Sequence, residues 1–240
     1  MSTLSSIIGD IWEDISEMIY PKRCLVCREP LHQLRTKICA KCFGKISLTR
    51  YWERSENVMA EHARDMQPMI VECSAMLFYD SYCRDMIHRL KYHRQWGEAR
   101  YLGELMGAYL SRSELYSTID VVIAVPLHPI RTFERTYNQA EYIALGVAEK
   151  MSLPVNFHAL YRRRHTTPQA KKSNMERWSD GEGLFNVRRE DSLRGKHILL
   201  IDDVYTTGAT IFRCVEALVR EVPGCRISVA TVATSRRNGG

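Results

Sequence analysis

The sequence predicts an α/β fold, a parallel sheet flanked by helices, with a small cysteine-rich unit at its amino end. Three observations predict it. From residue 70 onward, apolar β-branched runs alternate with stretches of helical periodicity, as successive βα units require. One run, His197-Ile198-Leu199-Leu200-Ile201, ends on paired acids and a short hydroxyl-rich turn before the next helical stretch. Ahead of the first strand, two CxxC pairs stand close together.

Taken in order, residues 4–19 place Leu4, Ile7, Ile8, Ile11, Ile15, Met18 and Ile19 on or near one face of an amphipathic helix. It is expected to pack on a neighbouring unit, since its polar face is acidic and disfavours lying on a membrane. The opening residues carry no basic segment and run into Asp10, Glu13 and Asp14, unlike a secretory leader. A cytoplasmic protein is therefore expected, and disulfides are disfavoured.

Cys24-x2-Cys27 and Cys39-x2-Cys42 are separated by eleven residues. Each pair can place two thiolates on one tetrahedral ion, and the two pairs complete a structural Zn²⁺ site. Four thiolates leave no open position, so a catalytic zinc is not expected. The intervening segment is too short to fold on an apolar core, so metal binding would supply its folding free energy. Cys73, Cys83, Cys214 and Cys225 stand in apolar or helical contexts and read as buried small hydrophobes.

The expected domains are a helix at 1–19, a zinc ribbon at 20–53, a linker at 54–69 and an α/β domain at 70–240. Within the last, residues 70–79 read as a strand, 81–95 as a basic helix and 98–112 as another helix. Asp120–Pro126 is a β-branched strand ending at a proline. Leu127-His128-Pro129 makes a turn, and the next helix carries Arg131, Arg135, Asn138 and Gln139 before Ile143, Leu145 and Val147. Residues 153–160 form a short element, 161–183 a polar, basic, mobile loop, and Phe185–Val187 lead through a charged turn to the strand at 197–201. Ile211–Val219 reads as a helix and Ile227–Val232 as the last strand.

The chemistry concentrates in Asp202-Asp203-Val204-Tyr205-Thr206-Thr207-Gly208-Ala209-Thr210. Two carboxylates sit at the carboxyl end of a strand, where open α/β sheets bind ligands. Backbone N–H groups of the turn and of the following helix can cradle a phosphate. Gly208 allows close backbone approach, and Thr206, Thr207 and Thr210 add hydroxyl donors. Asp202 and Asp203, the candidate catalytic pair, can accept from vicinal ribose hydroxyls or help hold a hydrated Mg²⁺. The loop thus fits a 5-phosphorylated ribose. An ordinary strand–turn–helix with a capping aspartate would need neither two acids nor three threonines.

This nonamer resembles the PRPP-binding signature of type I phosphoribosyltransferases. Further motifs occur in order: Leu90-Lys91-Tyr92, Val125-Pro126-Leu127-His128, Arg135-Thr136-Tyr137-Asn138-Gln139, Arg164-His165-Thr166-Thr167-Pro168-Gln169 and Glu176-Arg177. With the CxxC pairs they resemble the ComF/GntX-like family over nearly the whole chain, from about Tyr20 to Arg236. Two positions depart from that family's pattern, Thr136 where it usually has glycine and Asp180 where it usually has asparagine. The resemblance implies a type I phosphoribosyltransferase-like sheet and a role in natural transformation on imported single-stranded DNA, on the cytoplasmic side, alongside other competence proteins. It implies PRPP with Mg²⁺ as ligand, passing through an oxocarbenium-like ribose as pyrophosphate leaves. Backbone groups of Val125, Leu127 and His128 can then face the pyrophosphate, and Arg131 and Arg135 can add charge, since guanidinium reads phosphate bidentately. The 162–177 loop is a candidate lid. His128 reads as a hydrogen-bonding loop residue in preference to a general base.

With 240 residues and 45% hydrophobic content there is chain enough for one ordinary core and a small appendage. No run approaches the ~18 apolar residues of a membrane span. The net charge of +6 is uneven: residues 20–54 hold nine Lys/Arg against Glu29 and Glu53. With Phe43, Tyr51, Trp52 and, later, Trp178 interleaved, that segment suits single-stranded DNA. A solvated face that offsets the negative thiolate cluster accounts for the charge equally well. Two functional readings stand together: an enzyme that transfers phosphoribose to a nitrogen nucleophile, and a non-catalytic module that senses PRPP or handles DNA.

Overall fold

The computed structural model describes residues 23–31, 36–92, 95–127, 137–162, 184–188 and 190–235. The expected helix at 4–19 and nearly all of the 161–183 loop lie outside them. The chain divides into two compact units, Met1–Ile46 and Ser47–Gly240.

In the first unit, Arg28 takes a left-handed backbone, φ 67°. That turn returns the Arg28 N–H to the Cys24 carbonyl at 3.0 Å. Cys24 N–H donates to Glu29 O, and Leu25 N–H to Lys37 O, both at 2.8 Å. A single helical turn follows, α1 (Ala40–Phe43), with Cys39 at its amino cap. Among the described residues of this unit, Leu25 and Ile38 are buried besides Cys24 and Cys42.

The second unit contains a four-stranded parallel sheet in the order β1 (Ile70–Phe78), β6 (Arg226–Thr234), β5 (His197–Tyr205), β2 (Val121–Ala124). β5 and β6 are central, and their buried runs are nearly continuous because helices cover both faces. Both outer edges are occupied. Phe78 N–H donates to Ser47 O at 2.9 Å and Thr49 N–H to Met76 O at 3.0 Å, laying 47–49 along β1. Asn156 N–H donates to Val122 O at 2.9 Å, laying 154–156 along β2. Such covers remove the unpaired edges that would template aggregation.

Around the sheet lie α2 (Val58–Met66), α3 (Ser81–Tyr92), α4 (Trp96–Leu110), α5 (Gln139–Met151) and α6 (Ala209–Glu221). α5 packs on β2 and β5, and α4 packs on α5. The α4–α5 seam is backbone against backbone: a Cβ on Gly103 would come within 2.1 Å of the Ile143 carbonyl oxygen. A short antiparallel pair, β3 (Leu160–Arg162) with β4 (Phe185–Val187), forms a sheet of its own.

Two differences from the sequence reading have physical causes. Residues 58–66 form a helix where a linker or loop was expected. Asn57 caps it by accepting from Ala60 N–H at 2.9 Å, and the helix buries Met59, Ala60 and Ala63. β5 also runs past Ile201 through both acids to Tyr205, because β6 continues to pair with it as far as Thr234.

Candidate functional site: the acidic loop and the four-cysteine centre

β5 loses one neighbour at the acidic loop. On the β2 side the ladder ends where Val125 N–H donates to Ile201 O at 2.8 Å. On the β6 side pairing continues from Asp202↔Thr231 to Tyr205↔Thr234. Asp202 and Asp203 therefore emerge on a strand held along one edge, both partly exposed. Asp203 N–H donates to Asp202 Oδ1 at 2.8 Å, which fixes the first carboxylate against the backbone of the second. Thr206, Thr207, Ala209 and Thr210 are exposed, while Tyr205 and Gly208 are buried. Gly208 caps α6 with φ 75°, a conformation glycine adopts freely. It brings no capping side chain, so the positive end of α6 points out through the turn, with Thr207 Oγ1 accepting from Ala209 N–H at 3.4 Å. A helix amino end, three exposed threonines and two carboxylates are thus assembled on one loop, a set suited to a phosphate beside a hydrated cation.

The acids also mark their surroundings. Burial first, then the charges of Asp80 and Asp203, pushes the Cys83 thiol up to about 12. Cys214 is raised too, by burial and then by Asp202. The amino end of α3 and the underside of α6 therefore both lie close enough to feel the pair. All four non-CxxC cysteines are buried.

The expected pyrophosphate loop is only partly placed. Val125 spends its N–H on Ile201 O and its carbonyl on Asn138 Nδ2, at 3.1 Å. Its backbone N–H is therefore committed to the β5 edge in this conformation. Leu127 is partly buried, and His128, Arg131 and Arg135 lie outside the described residues. The Asn-Gln pair has a structural job. Asn138 caps α5, accepting from Ala140 N–H at 3.2 Å. Gln139 Nε2 donates to the Leu90 carbonyl at 3.5 Å, and Tyr137 donates its hydroxyl to the same oxygen. Two motifs far apart in sequence, Leu90-Lys91-Tyr92 and Tyr137-Asn138-Gln139, thus meet on one acceptor.

Sequence reasoning missed a ring cluster under the acidic loop. Tyr205 is 2% exposed, and its hydroxyl lies 2.7 Å from His62 Nδ1. Phe212, from the first turn of α6, packs on both rings. Tyr205 was visible inside the nonamer, but its partner sits on a helix that reads as linker.

The second centre is the cysteine cluster. The Sγ atoms of Cys24, Cys27, Cys39 and Cys42 all lie within 4.8 Å of one another, and Cys27 and Cys39 are 3.8 Å apart. Four thiolates around an ion at ~2.3 Å in tetrahedral geometry would stand about 3.8 Å apart, so the set fits one metal ion. Cys24 Sγ accepts from Cys39 N–H at 3.3 Å and from Val26 N–H at 3.4 Å. Burial raises the Cys24 thiol, but amides of Cys39, Cys27 and Val26 outweigh it and hold it near about 6. Cys42 goes the other way, to about 12, pushed by burial and then by the neighbouring sulfurs. Amide donors that stabilise a thiolate are the outer-shell support a ligating sulfur needs.

The aromatic platform expected in the basic segment is not there as drawn. Trp52 is 6% exposed and stacks on Tyr109, centroids 4.5 Å apart at 22°. Tyr51 meets Phe78 edge-on. Phe43 is exposed.

Residues 138–239 match the phosphoribosyl transferase domain family, a span that begins at the α5 cap and contains the acidic loop, α6 and β6. Competence protein F of Haemophilus influenzae is 25% identical over 79% of this chain and 87% of its own length. Competence protein ComFC of Bacillus subtilis is 28% identical over 89% of this chain and 85% of its own. These matches support a ComF-like protein with a phosphoribosyltransferase domain. DNA utilization protein YhgH of Escherichia coli K12 also resembles this chain, at 25% identity over 83% of it and 92% of the relative. Among solved structures, the allosteric regulatory enzyme of purine biosynthesis matches 55% of the chain and 25% of its own length, at 22% identity and TM-score 0.38, too loose a likeness to build on. No helix among the described residues is long and apolar enough to cross a membrane.

Proposed function

We propose that this protein binds PRPP with Mg²⁺ at Asp202–Thr210 and acts in natural transformation, on imported single-stranded DNA in the cytoplasm and in the company of other competence proteins. The observation that carries the ligand assignment is the loop itself: two partly exposed carboxylates, exposed threonines and a helix amino end with glycine at its cap, on one turn at the carboxyl edge of β5. In this reading the amides of the 206–210 turn and the Thr206, Thr207 and Thr210 hydroxyls hold the 5-phosphate. Asp202 and Asp203 hold the ribose hydroxyls and the waters of the cation. Mg²⁺ would neutralise charge on the leaving pyrophosphate, and Leu127, His128, Arg131 and Arg135 would contribute from the neighbouring loop. The reaction is transfer of phosphoribose to a nitrogen nucleophile, with pyrophosphate released. The names of the competence relatives support the process, and the domain match supports the ligand.

The cysteine cluster holds one structural Zn²⁺ in this reading, which its spacing and amide support favour. The proposed domains are the helix at 1–19, the ribbon at 20–53, a connection at 54–69 and the phosphoribosyltransferase-like domain from 70 onward.

The test is direct. PRPP with Mg²⁺ should raise the melting temperature, since binding to the native state adds stability by mass action. The Asp202→Ala, Asp203→Ala double variant should fold and lose the shift; a shift that survives refutes the site. Pyrophosphate release with a panel of nucleobases and single-stranded DNA then separates an enzyme from a module that only binds PRPP.

A further inference from the structure

The acidic loop rests on a support that comes from outside the matched 138–239 segment. Tyr205 stands between Asp203 and Thr206, and its side chain turns down into the core. His62 of α2 meets its hydroxyl at 2.7 Å, and the two rings stand edge to face, 84° and 6.0 Å between centroids. Phe212 closes the cluster, its centroid 5.7 Å from His62 and 6.2 Å from Tyr205. These atoms form the floor under Gly208. A Cβ added there would come within 2.5 Å of Phe212 Cζ and 2.9 Å of the Tyr205 hydroxyl. The residue at which the phosphate cradle turns is thus seated on the Tyr205 hydroxyl and the Phe212 ring.

α2 is itself held in place. Asn57 caps its amino end and also donates Nδ2 to the Cys73 carbonyl of β1, at 3.2 Å. Arg64 Nη2 donates to Ser55 Oγ at 2.8 Å and to the Val71 carbonyl at 2.9 Å. Gln67, just past the helix, donates to Glu216 of α6 at 3.2 Å. Position 62 is therefore fixed against both β1 and α6. A buried phenol needs a hydrogen-bond partner, whereas phenylalanine would fill nearly the same volume without one.

We propose that His62 is a positioning residue for the phosphate cradle, setting through the Tyr205 hydroxyl the height and orientation of the Thr206–Thr210 turn. The proposal rests on the reading of that turn as the PRPP site. Without the His62 contact, the Tyr205 hydroxyl loses a buried hydrogen bond and shifts, and Gly208, seated on it, moves with it. The turn's amides then no longer converge on one phosphate. His62 touches no ligand in this account and acts only through Tyr205.

The experiment uses the full chain with PRPP and Mg²⁺ in isothermal titration calorimetry, at a temperature where every variant is folded. His62→Leu and Tyr205→Phe should each weaken PRPP binding about fivefold, the effect of losing one buried hydrogen bond. The double variant should be no weaker than either single, because both remove the same contact. His62→Gln, which keeps a polar group near the hydroxyl, should recover most of the loss. A purely structural role would lower the melting temperature and leave the affinity of the folded protein unchanged. Affinities of both single variants within twofold of wild type, or penalties that add in the double variant, overturn the proposal. Hydrogen exchange gives a readout that does not depend on PRPP. Amides of 206–210 should exchange faster in Tyr205→Phe while β1 and β6 stay protected, and unchanged protection overturns the proposal too. Wild-type protein that binds no PRPP would sink the ligand assignment, and the exchange result would still decide the role of His62.

Discussion

Asn138 ties the end of β2 to the start of α5: its Nδ2 donates to the Val125 carbonyl at 3.1 Å while its Oδ1 accepts from Ala140 N–H at 3.2 Å. The side chain is buried, and one amide satisfies a strand end and a helix end together. Asn138→Ala removes the cap and leaves a buried carbonyl without its donor. We expect a loss of about 2 kcal/mol in stability, from a cap worth ~1 and an unsatisfied group worth ~1–3 kcal/mol. Asn138→Asp keeps the cap but sets a buried carboxylate against the Val125 carbonyl and the Glu141 carboxylate, and should cost at least as much as alanine. Urea unfolding of both variants checks the order; equal stability of wild type and alanine variant contradicts it.

His197 gives the α/β domain a dependence on pH. It is buried, with Nε2 2.9 Å from Ser228 Oγ and Nδ1 2.9 Å from Thr118 Oγ1. Burial first, then the Arg226 charge, holds it below its ordinary value; Asp120 pulls partly the other way. A depressed folded-state value means that the unfolded chain binds the proton more readily. The stabilisation is therefore complete above about pH 6.5 and is lost as pH falls below that toward the folded-state value. The slope should approach ~1.4 kcal/mol per pH unit at most, one proton's worth. Melting curves from pH 7.5 to 5 should show the decline, and His197→Gln should flatten it. An unchanged slope in that variant would assign the decline to other groups.

Much of this was legible in the sequence, and the parts that were not share a cause. The strands of the sheet declare themselves because parallel strands covered on both faces need largely apolar, β-branched runs, unbroken in Ile198–Ile201 and interrupted by the small buried Ser228 and Thr231 in Ile227–Val232. The acidic nonamer and the cysteine spacing are local, so their chemistry shows in one dimension. α2 was hidden because its buried face is small: Met59, Ala60 and Ala63 among Glu61, His62, Arg64 and Asp65. The β3–β4 pair gave no hairpin signal, since its strands are separated by residues 163–184. Trp52 looked available for base stacking until Tyr109, distant in sequence, was seen to cover it. Gly208 was assigned to ligand approach; its φ of 75° and the Phe212 ring beneath it are independent reasons for glycine there.

Zinc is predicted at about one ion per chain, by the four-thiolate count. Cys39→Ser removes one of the four sulfurs, at the amino-cap position of α1. Metal content should fall to a small fraction, and the first unit should lose its protection from proteolysis while the α/β domain keeps its melting transition. Elemental analysis of protein purified without chelator checks the count, and absence of zinc in the wild-type protein refutes it.

Single-stranded DNA is the last test, and the structure redraws where to aim it. Trp52 is committed to Tyr109, but Phe43 is 47% exposed on α1, with Lys41 and Lys45 exposed beside it in sequence and Arg28 exposed on the first knuckle. An exposed ring among flexible cations is the pattern that stacks one base and neutralises its phosphates. We expect weak, sequence-tolerant binding that falls steeply with salt, as counterion release requires. Phe43→Ala should weaken it by about 1–3 kcal/mol, the worth of one stacked base, with little change in salt slope. Reversing Arg28, Lys41 and Lys45 to glutamate should lower both affinity and slope while leaving any PRPP-induced melting shift intact, since those residues lie in the first unit and the acidic loop in the second. If the positive charge serves only to offset the thiolate cluster, a labelled oligonucleotide will show no anisotropy change with wild-type protein even at low salt, and the ribbon is then a structural unit and not a DNA contact.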